Sequence, residues 1–191
     1  SIDIDYKALQ TRVGRFLKGS SQTLAKSLAA AGITLYEGRG VCAGKGQAIV
    51  RSESGEEMLT TDNIILSCGS SSASFPGLAP DGDAVLDSTG VLNLPEVPES
   101  LIIVGAGAIG LELGDFFGMM GSKITIVEAA PHIAPTEDAD IAKEMDRVQS
   151  KAGRTCITGV MAKSLVTKDG QAELTLGDGR VLTASKALVA V

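Results

Sequence analysis

Leu101-Ile102-Ile103-Val104-Gly105-Ala106-Gly107-Ala108-Ile109-Gly110-Leu111-Glu112 is the stretch on which the fold turns. Four apolar residues run into a Gly-x-Gly-x-x-Gly turn, and an amphipathic stretch starts immediately behind it. The pattern predicts a buried strand over Leu101–Val104 and a helix over Ala108–Met120. Beyond Gly121-Ser122, the run Lys123-Ile124-Thr125-Ile126-Val127-Glu128 predicts a second strand that ends on an acid. Strand, glycine turn, helix and strand in this order make a βαβ unit with the pattern of a dinucleotide-binding turn. The glycine pattern alone is weak; its four flanking constraints make it specific.

Each residue of the turn has a physical task. Gly105 permits the tight turn, Gly107 lets a pyrophosphate approach the backbone, and Gly110 lets the helix pack closely on the strand. Ala106, Ala108 and Ile109 complete the cradle at the positive end of the helix dipole. Glu128 follows Gly105 at close to the roughly 20-residue spacing of a ribose-binding carboxylate. Such an acid accepts hydrogen bonds from ribose hydroxyls and repels a 2′-phosphate. Ala129-Ala130-Pro131 supplies no arginine for that phosphate, so NAD is preferred over NADP. An FAD site would carry the same glycine pattern, and spacing does not separate the two. Glu112, one turn into the helix, is either a partner for the helix dipole or a functional acid.

Outward from this unit, the C-terminal side stays regular. A helix is expected over Asp138–Lys151, with Ile141, Met145, Val148 and Ala152 on one face. A strand over Thr155–Thr158 follows, then strands near Ala162–Thr167, Ala172–Leu176 and Val181–Thr183, separated by Asp169-Gly170 and Asp178-Gly179 turns. Ala187–Val191 is apolar and is expected to be a buried parallel strand. On the N-terminal side, Asp5–Ala31 has helical spacing, interrupted at Gly19-Ser20-Ser21 and stopped by Gly32. Strands are expected at Ile33–Tyr36, around Val41 and at Ala48–Arg51, with a turn at Ser52–Glu56 and a short buried strand at Asn63–Ser67. Residues 69–99, with the serine run Ser70–Ser74 and four prolines, are linker-like. A boundary is placed near Ser88, giving domains 1–88 and 89–191.

Composition closes off several functions. The net charge of −6, with no Lys/Arg stripe, excludes nucleic acid as the expected partner. The longest apolar run, Leu101–Leu111, is about half the ~20 residues a bilayer requires, so no membrane partner is expected. Cys42, Cys68 and Cys156 show no CxxC spacing, and His132 is the single histidine. No metal framework, disulfide scaffold or Cys-His catalytic pair can be built from them, and a reducing compartment is expected. His132 is expected in a surface loop, and Cys68 and Cys156 in or near the core.

Leu94-Pro95-Glu96-Val97-Pro98-Glu99-Ser100 leading into Leu101–Gly114, and then Gly121–Glu128, resembles the NAD domain of dihydrolipoamide dehydrogenases, which are pyridine nucleotide–disulfide oxidoreductases. Asn63-Ile64-Ile65-Leu66-Ser67-Cys68-Gly69-Ser70 resembles the strand on which that family's chain leaves its FAD domain. Glu37-Gly38-Arg39-Gly40 resembles the strand lying against the flavin adenine. The resemblance covers essentially the whole chain and is most specific over residues 94–128. It implies an α/β fold: a Rossmann-like NAD-binding domain, a parallel sheet with helices plus a β-meander, joined to part of an FAD-binding domain.

By position, Gly105, Gly107, Gly110 and Glu128 would bind NAD. Glu112 and Ile109 would lie by the nicotinamide, and Val160 beside the adenine. Gly40, Cys68, Gly69 and Ser70 would touch FAD, with Cys68 in place of the family's usual threonine. The family's redox cysteines and catalytic His-Glu pair have no counterparts in these residues. The chain is therefore expected to be the central part of a longer flavoenzyme and, alone, inactive. The resemblance further implies a homodimeric parent, cytoplasmic or in the mitochondrial matrix, serving a 2-oxo acid dehydrogenase or glycine cleavage system. Two alternatives stand beside it: a related NADH-dependent flavin disulfide reductase or peroxidase, and a non-catalytic NAD(H)-sensing module. Residues 89–191 are expected to hold the better-formed core. Limited proteolysis should remove 1–88 first; survival of that part while 89–191 is digested would overturn the expectation.

Overall fold

A 25-residue helix with exposed apolar side chains precedes the first sheet. The computed structural model describes residues 4–73 and 75–191; Ser1-Ile2-Asp3 and Ser74 of the expected linker lie outside the described residues. Contacts divide the chain into two compact units, Lys7–Ser70 and Ser71–Val191, the second also including the residues up to Tyr6. In the first unit, α1 (Tyr6–Ala30) runs unbroken through Gly19-Ser20-Ser21, where the sequence predicts an interruption. Its end is closed by bonds from Gly32 N–H to Ala29 O (3.0 Å) and from Ile33 N–H to Leu28 O (3.0 Å), a Schellman arrangement. Of the apolar residues at helical spacing, Leu9 and Leu28 are half-buried, whereas Val13, Phe16, Leu17 and Leu24 are exposed.

The strands β1 (Arg39–Gly44), β2 (Gln47–Ser52) and β3 (Gly55–Thr60) form an antiparallel sheet in that order. β3 is a strand the sequence did not suggest, because Glu56 and Glu57 break its apolar pattern. Glu56 faces Arg51 across the hairpin and pairs with it at 2.7 Å. Two expected strands are absent. Ile33–Tyr36 and Asn63–Ser67 lie outside any helix or strand and pair with no described strand, and Ile65 is 89% exposed. A segment without a partner strand leaves its backbone groups to solvent, whatever its β-propensity.

The second unit is built on a parallel sheet. β4 (Val85–Leu86) and α2 (Ser88–Leu92) come first, and both lie in the stretch expected to be linker. β5 (Ser100–Val104), α3 (Ala108–Met119), β6 (Lys123–Val127), α4 (Ala139–Lys151) and β7 (Thr155–Ile157) follow, close to the expected bounds. β8 (Ala162–Lys168), β9 (Gln171–Leu176) and β10 (Val181–Ala184) form the expected antiparallel meander, and β11 (Lys186–Val189) returns to the main sheet. Asp169 and Gly170 both have positive φ, as a two-residue hairpin turn requires. The sheet order is β4-β11-β5-β6-β7, so the chain reverses direction across the sheet between β5 and β11.

Parallel strands covered on both faces carry near-continuous apolar runs; Leu101–Val104 of β5 is one, and in β6 Ile124, Ile126 and Val127 are buried beside an exposed Lys123 and a half-buried Thr125. Ile102, Val104 and Val127 pack with Leu165, Leu174 and Leu176 of the meander. Leu101, Ile103, Ile124 and Ile126 pack on the other face with Leu111 and Phe117 of α3. The linker is fastened to this unit by Asp81. Its carboxylate accepts the N–H groups of Asp83 and Val85 and the hydroxyl of Thr167. Partial burial raises its pKa, but these three bonds outweigh it and hold the carboxyl below its usual range. The unit therefore begins well upstream of the boundary expected near Ser88.

The inward face of α4 is rotated from the one expected. Met145 packs against the core as expected, but Ile141, Val148 and Ala152 are exposed, whereas Ala142 and Gln149 are buried. The reason is polar: Gln149 Oε1 accepts from Arg154 (2.8 Å), and Arg154, itself nearly buried, pairs with Asp115 at 2.6 Å. A buried amide is tolerated when its bonds are made.

α3 presents Gly110, Gly114 and Gly118 to its neighbours at i, i+4 spacing. A Cβ at Gly110 would collide with the Gly105 carbonyl oxygen, one at Gly114 would lie 3.0 Å from Ile103 Cδ1, and one at Gly118 2.7 Å from Arg154 Nε. The first of these contacts is against backbone and cannot relax by side-chain motion. Gly110→Ala should therefore cost about 1–3 kcal/mol or more, whereas Gly107→Ala, with nothing within 4 Å of where its Cβ would stand, should cost little. Urea midpoints measured by circular dichroism test the contrast; equal midpoints for the two variants would contradict it.

Candidate functional site

At the carboxyl edge of the parallel sheet, the ends of β5, β6 and β11 deliver Gly105, Glu128 and Ala190 side by side. Gly105 N–H donates to Val127 O (2.9 Å) and Ala190 N–H to Val104 O (2.8 Å). Gly105 has φ of +104°, and a Cβ there would sit 2.5 Å from Ala190 O, so only glycine makes this turn. Gly107 begins α3 with no side-chain cap. The first N–H groups of a helix lack intrahelical acceptors, and a Cβ at Gly107 would meet nothing within 4 Å. Open sheets of this kind bind ligands where the strand order reverses, outside the carboxyl ends of the strands.

Glu128 stands at the mouth. Its Oε2 accepts the Ala106 N–H (2.8 Å) and its Oε1 the Ala130 N–H (2.8 Å). Its backbone N–H donates to Ile157 O (2.8 Å) and its carbonyl accepts from Val160 N–H (3.3 Å). The structure thus brings together Gly105, Ala106, Gly107, Gly110, Glu128 and Val160. Ala108 and Ile109 are exposed on the first turn of α3. Glu112 is exposed as well, but it lies beyond the first turn, which holds no acid, so the dipole role weighed for it has little to act on.

Gly40 lies in β1, and Cys68, Gly69 and Ser70 lie in the unpaired segment after β3, where Gly69 has φ of +72°; all four are exposed. For Cys68 this differs from the core position expected of it, because the segment pairs with no described strand.

An apolar pocket of about 180 Å³ opens beside the loop, lined by Val104, Gly105, Val127 and Glu128 together with Phe75, Leu78, Met161 and Val191. The last four were not singled out by the sequence. Phe75 and Leu78 come from the supposed linker, and their only sequence signal is the Pro76-Gly77 turn between them. A Cβ at Gly77 would lie 2.9 Å from Lys163 O, which is why the turn can lie against β8. His132 is half-buried, with Nδ1 3.0 Å from Ile133 O. Among the described residues no group of three or more His, Cys, Asp or Glu could hold a metal ion.

Sheet, meander and glycine turn together define an α/β protein of the Rossmann-like class. The chain belongs to the pyridine nucleotide-disulphide oxidoreductases, a family of enzymes whose sequence model matches residues 7–191. A dihydrolipoyl dehydrogenase of Chlorobaculum tepidum is 37% identical over 177 residues, covering 90% of this chain and 38% of that protein. Among solved structures, LpdA from Mycobacterium tuberculosis superposes with a TM-score of 0.90 at 25% identity, covering all of this chain and 43% of LpdA. The HOCl-induced flavoprotein disulfide reductase RclA from Escherichia coli gives a TM-score of 0.87 at 26% identity, over 98% of this chain and 42% of RclA. The chain spans less than half the length of these relatives.

The three thiols differ in accessibility. Cys42 and Cys68 are exposed, while Cys156 is half-buried in β7. Burial pushes its thiol up to about 11; Asp146 adds to the shift and Arg154 opposes it. A raised thiol pKa keeps Cys156 protonated, hence a poor nucleophile, at neutral pH. With a disulfide reagent at pH 8, two thiols should react fast and a third at least roughly tenfold more slowly until the chain is unfolded. Three equal rates would refute this placement of Cys156.

Proposed function

We propose that this chain is the NAD(H)-binding portion of a flavin-dependent dihydrolipoyl dehydrogenase, with residues 89–191, joined by Phe75 and Leu78 at the pocket, holding the dinucleotide and the rest of residues 1–88 contributing to an FAD site. The observation that carries the reading is the open position at Gly107. Gly105 and Gly110 are glycines because a Cβ would strike the chain itself, whereas a Cβ at Gly107 meets nothing. A glycine there is explained by a ligand backbone or phosphate that must come close.

The pyrophosphate would lie against Gly107, Ala108 and Ile109 at the N-terminus of α3, where helix N–H groups and dipole favour an anion. Glu128 has lone pairs left after its two backbone bonds and would accept the adenosine ribose hydroxyls. Val160 and the apolar pocket would take the adenine, and Ile109 with Glu112 would border the nicotinamide. Gly40, Cys68, Gly69 and Ser70 would lie along FAD. Bound together, the two cofactors supply hydride transfer between nicotinamide and flavin, and the residues here bind and orient them. The thiol chemistry of a dithiol substrate would fall to residues outside this chain.

The same resemblance extends the proposal to a homodimeric parent in the cytoplasm or mitochondrial matrix, working with a 2-oxo acid dehydrogenase or glycine cleavage system. A related flavin disulfide reductase is the second reading, favoured by the likeness to RclA.

Calorimetric titration with NADH and NADPH tests the cofactor. NADH should bind and NADPH at least roughly tenfold more weakly, since a carboxylate cannot donate to a 2′-phosphate and repels it. Gly107→Ala should fold normally yet bind NADH poorly. Equal affinity for the two nucleotides, or full binding by Gly107→Ala, would contradict the proposal.

A further inference from the structure

The Ala106 peptide is held from both sides by protein groups. Its N–H donates to Glu128 Oε2 at 2.8 Å, and its carbonyl accepts the Ala134 N–H at 2.9 Å. Ala134 makes that bond from a φ of +48°, a region that residues other than glycine seldom enter, and it is buried. The other oxygen of Glu128 takes Ala130 N–H, and Ile133 beside Ala134 is also buried. Residues 130–134 are thus folded back onto the glycine loop, and the Glu128 side chain bonds to both segments. All of these bonds are internal to the chain.

We propose that Glu128 is a positioning residue for the glycine loop as well as a group facing the ligand. By drawing the Ala106 N–H inward, it turns the loop so that Gly107 and the first turn of α3 face the mouth before any nucleotide arrives. This deepens the proposed function and rests on its reading that the site takes an adenosine diphosphate group. A residue serving only the ribose hydroxyls would matter only to ligands that carry them. A residue that also sets the loop matters to the diphosphate itself. Glu128→Gln keeps the shape but offers one acceptor oxygen, so its amide NH₂ must confront one of the two backbone donors. Glu128→Ala removes both acceptors without that confrontation.

The test has two arms, both on the whole chain. In the first, amide hydrogen exchange is measured without ligand. Exchange at Ala106 should be at least tenfold faster in Glu128→Gln and Glu128→Ala than in the native chain, while Ile102 and Ile103 in β5 stay unchanged. Native-like protection at Ala106 in both variants overturns the proposal. In the second, ADP and 2′,3′-dideoxy-ADP are titrated into the native chain and both variants. The native chain should bind ADP more tightly than the dideoxy compound, and the variants should bind the dideoxy compound at least fivefold more weakly than the native chain does. Unchanged dideoxy-ADP binding in the variants, with ADP binding lost, reduces Glu128 to a ribose ligand: the loop proposal fails and the cofactor reading stands. No ADP binding by the native chain overturns the cofactor reading, and this proposal's account of the loop's purpose falls with it.

Discussion

The first turn of α3 must lie against the end of β5 closely enough that Gly110 and the Gly105 carbonyl leave no room for a methyl group. Much of the second unit follows from that contact. It fixes the direction in which α3 leaves the strand, which brings its uncapped N-terminus to the carboxyl edge of the sheet. It also sets the separation of helix and sheet, maintained further along by Gly114 over Ile103 and by Gly118 beside Arg154. Each glycine inside a helix costs about 1 kcal/mol against alanine. Packing must offset three such costs within one short helix, and Phe117, Leu111, Ile103 and Ile126, all essentially buried, do so through the area they remove from water.

How much of this was legible in the sequence depended on whether burial or hydrogen bonding made the choice. β5, β6 and β11 lie inside the sheet, and apolar runs in β5 and β11, with Ile124, Ile126 and Val127 in β6, announced them. The meander was marked by its Asp-Gly turns. The failures are of another kind. The inward face of α4 was read from Ile141 and Val148, but Gln149 goes inside because Arg154 satisfies its amide, and that partner is invisible to a hydrophobicity pattern. β4 is two residues long, too short for any periodicity, and is held by an Asp81–Thr167 bond across 86 residues. β3 was hidden by its glutamates. Asn63–Ser67 had the composition of a strand and lacks a neighbour to pair with among the described residues.

The candidate site divides along the same line. Spacing pointed to Glu128, Gly105, Gly107 and Gly110 because those positions follow from local geometry: strand end, turn, helix start. Phe75, Leu78, Met161 and Val191 come from segments far apart in sequence that meet only once β8 and β11 are in register. The contacts of Ala106 and Ala134 also escaped the sequence, since both residues are alanines and their contribution is made entirely by backbone atoms. Conversely, Ile109 and Glu112 share a helix with the loop yet are exposed on it; proximity in sequence did not bring them into the cluster that Glu128 organises.

Glu128 also ties cofactor choice to loop geometry in a way that restricts how either could change. A carboxylate offers about four acceptor positions and no donor; two are used on Ala106 and Ala130. On the proposed reading the remaining two suit a pair of hydroxyl donors, and a phosphate, which brings only acceptors and negative charge, is refused. An arginine at this position would welcome a 2′-phosphate but could accept nothing from the two backbone N–H groups. Ala106 is buried, and a buried donor without an acceptor costs about 1–3 kcal/mol. A change of nucleotide preference made at Glu128 alone would therefore loosen the loop that both nucleotides need. Such a change would have to keep the acid and place the new cation further along, at Ala129 or Ala130, the positions nearest to it in the chain.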